Sequence, residues 1–546
     1  MTLPPAGSAT RRKEPIMTSE TVSNMLRRTT VGDVIRRHAL NHPNKPALLV
    51  ESMDGTSAEY SWREFNTLIN RTAHALTSLG VTKGDKVGVF ALNGPQFAAL
   101  LYAAAKIGAI VAPAGAGLRG ADLTYVVKHC DAQVVFVDEF LLDAFTSILP
   151  DVDYLTMGFI RRTPGSEAPK GWVDLAQMVA EQNDAEPEVV LDGDDVATLT
   201  YTSGTEAAPK GVLMTHTNLI NMITSGHAWD LRPEDVALHV LPLFYTGGVG
   251  VLMMCHLLGQ TVVLPELPEP VKMAAAMAKH QVSFIVLPPT LWIRLLQVPG
   301  IEESARSMRI ATTFGATISK SMITGWSAVC PSMRWNSYYG QSETSCSGTI
   351  GQFKNLEEIC EGDLGWVGRP CQNLEVRVVD PHDDDVPRGE VGQILFRGPA
   401  VFKGYYKDEE RTAAAFAGGW LHSGDLGRLN ADGELFFVDR VKDMVKSGGE
   451  NISSASVEYA ISGHPKVAEV AAFGVPHPDW MEALTVAVTV KPGESLTADE
   501  VVAYCKETLP RFKVPKEIVI VEDFPRGPSG KILKRELREQ YKDVHS

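Results

Sequence analysis

The sequence predicts an α/β protein built of more than one domain. A chain of 546 residues is too long for one compact hydrophobic core. From Val31 to about Glu139, helix-like segments alternate with short strands rich in β-branched residues, and the pattern returns at residues 277–290 and 308–319. Such alternation is typical of a largely parallel sheet covered by helices. Ligands of such sheets bind beyond the carboxyl ends of the strands, where we expect the segments PPT, FGA and YYGQSE.

The later part of the chain has a different texture. After about residue 370, the segments LEVRVVD, GEVGQILFRG and GELFFVDR predict a small β-rich subdomain of short strands and Gly/Asp turns. From Val441 onward, strand-like segments and a helix with Thr497 as its N-cap predict a separate small α+β domain. Residues 1–25 are polar and poor in aromatic side chains, which predicts a flexible tail, and Met17 offers an alternative start.

Charge and hydropathy exclude several classes of function. The formal net charge of −15 argues against a nucleic-acid partner and against an anionic lipid surface, since both favour a basic face. The most apolar stretch, residues 97–113, is short and interrupted by Lys106, so we predict a buried helix and strand and no membrane span. The basic residues 11–13 are followed by Glu14 and Pro15, which is not the pattern of a signal peptide.

The cysteines indicate a reducing environment. Seven cysteines are scattered along the chain without a CxxC pair. A disulfide framework or a zinc site is therefore not expected, and reduced thiols in a cytoplasmic protein are the prediction.

The stretch TYTSGTEAAPKGV, residues 200–212, has the composition of a phosphate-binding loop. It follows the strand-like VATLTY, and it offers hydroxyl donors, a glycine that permits close approach, and a cation: Thr202, Ser203, Gly204, Thr205 and Lys210. It is not a Walker A loop, because Pro209 and Gly211 stand where that pattern needs a glycine and a hydroxyl residue. Taken alone, the stretch is also compatible with an ordinary polar turn.

Four further segments carry polar groups in a suggestive order. SYYGQSET (337–344) combines an aromatic pair, a glycine, a hydroxyl and a carboxylate, the groups needed to stack a base, bind a phosphate and hold Mg²⁺. WLHSGDLGRLNADGELFFVDR (420–440) places Asp425 in a tight turn and Arg440 after a strand. KSGGENISSASVE (446–458) is a glycine turn that leads into a helix, and GPSGKILKREL (527–537) places Lys531 after a flexible turn. Each segment alone is also compatible with a surface turn.

Together, and in this order, the five motifs resemble those of the acyl-adenylate-forming superfamily, which comprises acyl-CoA synthetases, luciferases and peptide-synthetase adenylation domains. The resemblance extends from about Val31 to Arg538. It implies a large N-terminal domain of two α/β sheets and a β-barrel, then a hinge and a small mobile α+β domain. The implied boundaries are a tail at 1–25, an acyl-adenylate-binding domain at 26–440 and a mobile domain at 441–546, with the hinge at Lys442. The stretch GGENISS is most similar to the corresponding sequence of fatty-acyl and aryl-CoA synthetases.

The resemblance implies an acid–thiol ligase that works in two half-reactions. A carboxylate first attacks the α-phosphate of ATP, with Mg²⁺ as cofactor, which gives acyl-AMP and pyrophosphate. After the mobile domain swings, the thiol of coenzyme A attacks the acyl-AMP. The partners are therefore small molecules, namely a carboxylic acid or its acyl-AMP and coenzyme A. Relatives are often dimers, so a homodimer is a further expectation.

The same resemblance assigns roles to individual residues. Tyr339 is expected to stack on adenine, with Gly315 and Ala316 lining the other side. Gly340 is expected to lie at the nucleotide, Asp425 to bind the ribose and Arg440 to contact the nucleotide. Ser342 is expected to bind the α-phosphate and Glu343 the Mg²⁺ ion. Lys531 is expected to stabilise the charge that builds on the α-phosphate during adenylation.

Two further groups follow from the resemblance. The implied coenzyme A residues are Gly448, Gly449, Trp480, Phe512 and Lys516. The implied acyl-pocket residues are Phe244, Tyr245, Gly247, Gly248, Pro289 and Phe314. Because Gly247, Gly248 and Gly315 leave room, a bulky polycyclic acid fits this reading as well as a fatty or an aryl acid does.

The phosphate loop departs from the superfamily pattern at two adjacent positions. The usual wording is TSGTTGxPKG, whereas here Glu206 replaces a threonine and Ala207 replaces a glycine. A carboxylate about 5 Å from one phosphate charge costs roughly 3 kcal/mol at an effective dielectric constant near 20. The departure therefore predicts that ATP and pyrophosphate bind poorly, while acyl-AMP still fits. A separate adenylating enzyme would then supply the acyl-AMP, as for the non-adenylating acyl-CoA ligases that this loop resembles.

Two alternatives stay open at this point. In the first, Glu206 points to solvent or pairs with Lys210, and the chain is an ordinary two-step synthetase; the retained Lys531 favours this reading. In the second, the chain is a catalytically silent nucleotide-binding homologue. The intact Lys531, Asp425 and Glu343 weigh against silence.

Overall fold

A computed structural model describes residues 23–24, 27–202, 209–345, 347–526 and 532–545. In chain order, the strands are β1 (Pro46–Glu51), β2 (Ser57–Ser61), β3 (Lys86–Phe90), β4 (Ile110–Pro113), β5 (Ala132–Asp138), β6 (Thr156–Ile160), β7 (Val173–Asp174), β8 (Val196–Thr202), β9 (Lys210–Thr215), β10 (Val236–Leu238), β11 (Thr261–Pro265), β12 (Phe284–Leu287), β13 (Ile310–Phe314), β14 (Arg334–Tyr339), β15 (Thr349–Phe353), β16 (Trp366–Pro370), β17 (Glu375–Val379), β18 (Val391–Arg397), β19 (Gly404–Tyr405), β20 (Leu421–Leu429), β21 (Leu435–Arg440), β22 (Val445–Ser447), β23 (Glu450–Ile452), β24 (Val467–His477), β25 (Met481–Val490) and β26 (Glu517–Ile520).

The α-helices, again in chain order, are α1 (Val31–Asn41), α2 (Trp62–Ser78), α3 (Pro95–Ile107), α4 (Gly120–His129), α5 (Leu142–Thr146), α6 (Leu175–Ala180), α7 (His216–Ile220), α8 (Met222–Ala228), α9 (Thr246–Leu257), α10 (Pro270–His280), α11 (Pro289–Leu296), α12 (Ile301–Ser304), α13 (Lys320–Val329), α14 (Glu409–Ala415), α15 (Ser454–Ser462), α16 (Ala498–Thr508) and α17 (Lys534–Gln540).

Two mixed sheets form the large N-terminal part. One has 13 strands in the order β17-β18-β20-β21-β16-β15-β14-β13-β12-β10-β11-β1-β2, and its central run from β14 to β1 is parallel. The other has eight strands in the order β19-β9-β8-β4-β3-β5-β6-β7, and the run from β8 to β7 is parallel. The predicted α/β class with largely parallel centres is therefore confirmed.

The prediction of a β-barrel is wrong for the described part of the chain. In the described part of the chain, β16, β17, β18, β20 and β21 do not close on themselves. Strand β16 pairs with β15 on one side and with β21 on the other, so the antiparallel strands continue the 13-stranded sheet. A barrel would need a further pairing that joins its first and last strands.

The remaining part of the chain forms a small α+β unit. Strands β22 to β26 make a five-stranded sheet, and β24 and β25 are a long antiparallel hairpin. Thr497 caps α16 as predicted. Its side chain accepts a hydrogen bond from Glu500 N, and the Glu500 carboxylate accepts one from Thr497 N. The small unit has hydrophobic cores of its own, which contain Val457, Val486 and Phe473.

The most apolar stretch folds as predicted into the buried helix α3 followed by β4. Lys106, which interrupts it, is buried, and its ammonium group donates to Asn66, Asn70 and Glu186. Among the described residues, no helix is long and apolar enough to cross a membrane. The six described cysteines are free thiols.

Candidate functional site

The phosphate-loop segment connects two antiparallel strands of the eight-stranded sheet. Strand β8 ends at Thr202, β9 begins at Lys210, and these two residues are register partners. Ser203, Gly204, Thr205, Glu206 and Ala207 lie outside the described residues. On the other side of the segment, Tyr125 Oη lies 3.4 Å from Pro209 O and donates to it.

Lys210 lies beside the carboxylate that we expect to hold Mg²⁺, with Tyr405 between them. The Lys210 ammonium is 5.4 Å from the centre of the Tyr405 ring, which is cation–π geometry. Tyr405 Oη donates to Glu343 Oε1 at 2.9 Å. Strand β19 brings Tyr405 here by pairing with β9, and Phe402 N donates to Glu343 O. One end of the phosphate loop is thus linked through an aromatic ring to Glu343.

A second cluster lies at the end of β14. Tyr339 Oη donates to Asp425 Oδ2 at 2.8 Å, and the Tyr339 ring packs against Phe396 and Phe437. Gly340 follows directly and lies against the Tyr338 hydroxyl, where a Cβ would stand 2.1 Å away. Ser342 starts the 3₁₀ turn Ser342–Thr344 that carries Glu343. The predicted adenine, α-phosphate and Mg²⁺ residues therefore lie within residues 339–343, at the carboxyl end of β14.

A different pair of strands holds Asp425 beside Tyr339. Asp425 on β20 is the register partner of Arg440 on β21, with Asp425 Oδ1 and Arg440 Nε 3.7 Å apart. Burial raises the pKa of Asp425, while Arg440, the Tyr339 hydroxyl and Lys442 lower it and Glu343 raises it. Arg440 and Glu343 thus both act electrostatically on Asp425, as expected if the three residues share a nucleotide site.

Lys442, the expected hinge residue, is the second residue after the end of β21. Burial lowers its pKa to about 8, with Arg440 and Arg538 acting in the same direction and Asp443 and Asp425 opposing them. Two polar contacts flank it. Asp439 Oδ2 accepts from Ser454 Oγ at 3.0 Å at the start of α15, and Asp443 Oδ1 accepts from Arg538 at 2.7 Å. The contact of Asp439 therefore joins the large part to the small unit, whereas the contact of Asp443 with Arg538 lies within the small unit.

The expected acyl-pocket residues gather at the carboxyl ends of β10, β12 and β13. Phe244 and Tyr245 pack edge to face with ring centres 4.6 Å apart, directly before α9. Pro289 begins α11 after β12, and Phe314 ends β13, followed by the exposed Gly315 and Ala316. Gly315 has φ +76° with open space around it, a conformation that favours glycine.

The glycines of α9 differ in what surrounds them. A Cβ at Gly247 would meet no atom within 4 Å, whereas a Cβ at Gly248 would stand 1.9 Å from the carbonyl oxygen of Pro242. Gly247 thus borders open space, as expected for a pocket. Gly248 was expected to leave room for an acyl group, but the backbone of Pro242 fills the space beside it.

Three of the residues expected to bind coenzyme A contact one another on the small unit. Lys516 Nζ lies 3.9 Å from the centre of the Trp480 ring, and Gly448 N donates to Trp480 O at 3.0 Å. Gly448 and Gly449 form the turn between β22 and β23. Phe512 is exposed on the 3₁₀ turn Arg511–Lys513. An exposed aromatic ring beside lysines offers both stacking and charge to an anionic ligand.

The structure gives less information on the catalytic lysine and on the Mg²⁺ site that the resemblance implies. Lys531 lies outside the described residues, although α17 behind it contacts the hinge region through Arg538. Among described residues, no cluster of three or more His, Cys, Asp or Glu side chains could hold a metal ion. Glu343 alone fits Mg²⁺ only if substrate phosphates complete the coordination, which is how that ion is commonly bound.

Two residues of this edge were missed by the motif comparison. No role was predicted for Tyr405, and its contact with Glu343 depends on the pairing of β19 with β9. Asp439 was read only as the end of a strand, although it binds the start of α15. Sequence spacing carries no signal for either contact.

Comparison with known proteins agrees with this geometry. Residues 35–406 match the family model of AMP-binding enzymes, and residues 456–531 match that of the AMP-binding enzyme C-terminal domain. The chain belongs to the AMP-binding enzyme family. The prediction of the acyl-adenylate-forming superfamily, and of an acid–thiol ligase within it, is thereby confirmed. The domain boundaries and the roles of single residues stay predictions.

Curated relatives of this AMP-binding enzyme are named CoA ligases and synthetases. The long-chain-fatty-acid–CoA ligase FadD13 of Mycobacterium tuberculosis is 31% identical over 518 residues, covering 94% of this chain and 98% of the relative. The crotonobetaine/carnitine–CoA ligase of Citrobacter koseri is 32% identical, with 91% and 96% covered. The feruloyl-CoA synthase of an Amycolatopsis species is 30% identical, with 89% and 94% covered. The named acids differ widely, so identity at this level leaves the acyl group undecided.

A solved relative is similar along almost the whole chain. ATP-bound MatB from Rhodopseudomonas palustris superimposes with a TM-score of 0.83 at 28% identity, covering 95% of this chain and all of MatB. The apo form of MatB superimposes with a TM-score of 0.73 at the same identity and coverage. The arrangement of this AMP-binding enzyme is therefore more similar to the nucleotide-bound form of that relative.

Proposed function

We propose that the protein forms acyl-CoA from acyl-AMP and coenzyme A, and that its ATP-dependent adenylation half-reaction is weak or lost. The thiol of coenzyme A forms a bond to the acyl carbonyl carbon, the bond from that carbon to the AMP oxygen breaks, and AMP leaves. Acyl-AMP is already activated, because AMP is a better leaving group than the oxygen of a free carboxylate. A separate enzyme that adenylates the acid would supply this substrate.

The observation that carries the proposal is the difference between two ends of one nucleotide site. At the adenosine end, Tyr339, Asp425 and Arg440 are present and linked to one another. At the distal-phosphate end, the sequence places Glu206 and Ala207 where relatives have a threonine and a glycine. The groups for AMP are thus retained, while the loop for the β- and γ-phosphates gains a negative charge.

The size of this effect is sufficient to separate the half-reactions. A penalty of roughly 3 kcal/mol for one phosphate charge corresponds to about a hundredfold in affinity. ATP and pyrophosphate bear that penalty, since both carry phosphates at the loop. Acyl-AMP carries only the α-phosphate, for which Ser342 is the proposed partner. In its loop, the chain resembles the non-adenylating acyl-CoA ligase of the platensimycin and platencin diterpenoid pathways.

The small unit supplies the coenzyme A end of the proposed reaction. Trp480 and Lys516 provide a ring and a cation in contact, and Gly448 is bonded to the backbone of Trp480. A hinge at Lys442 would bring this surface to the acyl-AMP after the nucleotide has bound. Phe512 is exposed and lies close to Lys516 in the sequence, so it adds a second aromatic ring for the ligand.

A second candidate is an ordinary two-step acyl-CoA synthetase that uses ATP and Mg²⁺. One observation favours it: Lys210 is beside Tyr405, which bonds Glu343, so a cation and the proposed Mg²⁺ ligand are both kept at the loop. Lys531, whose proposed role is in adenylation, is also retained. In this candidate, Glu206 is paired or solvated and has no effect on ATP.

The double substitution Glu206→Thr with Ala207→Gly distinguishes the two candidates. Under the proposal, it removes the repulsion and restores backbone freedom, so acid-dependent pyrophosphate release should rise by about a hundredfold. Acyl-CoA formation from acyl-AMP should stay within a few-fold and serves as the control for folding. Unchanged pyrophosphate release in a variant that keeps thioester formation would favour the ordinary synthetase.

A further inference from the structure

His239 is a buried histidine beside the proposed acyl pocket, and the reaction gives it no role so far. It follows β10 directly, and its backbone N–H continues the parallel ladder by donating to Val263 O at 2.8 Å. The residue is 2% exposed, and neither ring nitrogen has a hydrogen-bond partner among the described residues. Burial lowers the pKa of His239 to about 3, so the ring is neutral and offers one donor and one acceptor.

His256 shows how this fold satisfies a histidine at similar depth. It is 1% exposed, and burial lowers its pKa to about 3 as well. However, His256 Nδ1 lies 2.8 Å from the Tyr102 hydroxyl, and Nε2 lies 3.3 Å from Ala47 O. An imidazole with two unmade hydrogen bonds costs stability, and an apolar side chain of similar size would avoid that cost. His239 therefore calls for a partner that the described residues do not supply.

The sheet register places His239 on the face that carries the acyl pocket. Ala237 packs into the core cluster that contains Phe284, Val286 and Tyr338, whereas Leu238 packs into the cluster on the opposite face. Side chains alternate along a strand, so His239 shares the face of Ala237. Helix α9 covers this face, and Gly247 in its first turn borders open space.

The same register gives the depth of His239 below the carboxyl edge of the sheet. Leu238 is level with Ile285 on β12 and Ala311 on β13, so His239 is level with Val286 and Thr312. Phe314 and Tyr338 are register partners two residues further along, at the carboxyl edge. His239 therefore lies about 6.6 Å below the Phe314 layer, at two residues of about 3.3 Å each.

The other polar side chains at this level are satisfied by one another. Asn336 Nδ2 donates to Thr312 Oγ1 at 3.3 Å, and Gln352 donates to Asn336 Oδ1 at 3.1 Å. His239 is a buried group at this depth whose donor and acceptor are both unused among the described residues.

We propose that His239 is the hydrogen-bonding floor of the acyl pocket and selects acids whose far end carries a neutral oxygen, such as a hydroxyl, ketone or ether. This inference rests on the proposed function, because it concerns the acyl group of the same reaction. A second carboxylate is a poor fit, since the side chains named at this level include no cation to pair with it. A plain hydrocarbon end would leave both ring nitrogens unpaired in the complex.

The test supplies medium-chain acyl-AMPs with coenzyme A and compares pairs that differ only in one hydroxyl, whose position is moved along the chain. The wild-type protein should favour the hydroxylated partner by about tenfold in kcat/KM at one position, the worth of one buried hydrogen bond. The variant His239→Leu should lose that preference and use both partners equally, and His239→Asn should keep part of it. His239→Leu should also melt at a higher temperature than the wild type.

His256→Phe is the matched control, because it removes a histidine of equal burial that is already bonded. It should lower the melting temperature and leave the preference intact. A wild type without preference at any position, or an equal preference in His239→Leu, would overturn the inference. Turnover of the unsubstituted acyl-AMPs reports separately on the proposed function, so either idea can fail without the other.

Discussion

The Tyr339 hydroxyl donates to Asp425 Oδ2 at 2.8 Å, and this bond joins the end of β14 to the middle of β20. The ring proposed to stack on adenine and the carboxylate proposed to bind the ribose are therefore held as one unit. Asp425 Oδ1 faces Arg440, so each carboxylate oxygen has a neighbour before any ligand binds. In the proposed function, this pre-arranged pair is what keeps an AMP site beside the altered phosphate loop.

The substitution Tyr339→Phe tests that coupling, because it keeps the ring and removes the hydroxyl. Affinity for AMP should fall by about fivefold, since Asp425 loses a bond worth about 1 kcal/mol. The Tyr339 bond lowers the pKa of Asp425, so the variant should raise that pKa further. Because the ionised carboxylate accepts from the ribose, AMP binding should then weaken at a higher pH as the solution is acidified. Calorimetric titration across pH measures both effects, and an unchanged acid limb would contradict the coupling.

The contact between Tyr405 and Glu343 leads to a prediction that separates the half-reactions. In the Glu206→Thr/Ala207→Gly background, Tyr405→Phe should slow pyrophosphate release by about tenfold and raise the Mg²⁺ concentration it requires, because Glu343 loses its orienting donor. Acyl-CoA formation from acyl-AMP should be unaffected. Tyr406→Phe is the control, since the Tyr406 hydroxyl bonds Asp131 instead. Equal losses in the two half-reactions would indicate a structural role for Tyr405.

Lys442 is expected to lose its charge near pH 8, because burial and its cationic neighbours lower its pKa from 10.5. A folded-state pKa below the unfolded value means that the charged form is disfavoured on folding. The free energy of unfolding should therefore rise as pH increases from about 8 to 10.5. Labelling with an amine-reactive reagent, read by mass spectrometry, should show Lys442 reacting with a midpoint near pH 8. A midpoint near pH 10.5, the ordinary value for lysine, would refute this prediction.

The sequence predicted the features that depend on local pattern. The alternation that yields β12 and β13, the buried helix α3 and the cap at Thr497 all follow from side-chain periodicity and hydrogen bonding within a few residues. Motif order was sufficient to indicate the AMP-binding enzyme family. Tyr339 and Asp425 were named from motifs, and the structure brings them into contact.

What the sequence did not predict depends on pairing between distant segments. The barrel was wrong because β16 pairs with β21, and that choice is fixed by partners about seventy residues apart. Gly248 was read as empty space, although it accommodates the backbone of Pro242. The contact of Tyr405 with Glu343 and the depth of His239 become apparent only when the sheets are assembled.

The most direct test of the central claim measures the two half-reactions side by side. One arm supplies fatty, aryl and polycyclic acyl-AMPs with coenzyme A, and the other supplies the matching free acids with ATP, Mg²⁺ and coenzyme A, with acyl-CoA scored by mass spectrometry in both. The account predicts acyl-CoA from acyl-AMP and at least a hundredfold less, on the order of the repulsion at Glu206, from acid and ATP. Comparable acyl-CoA in the two arms would contradict it.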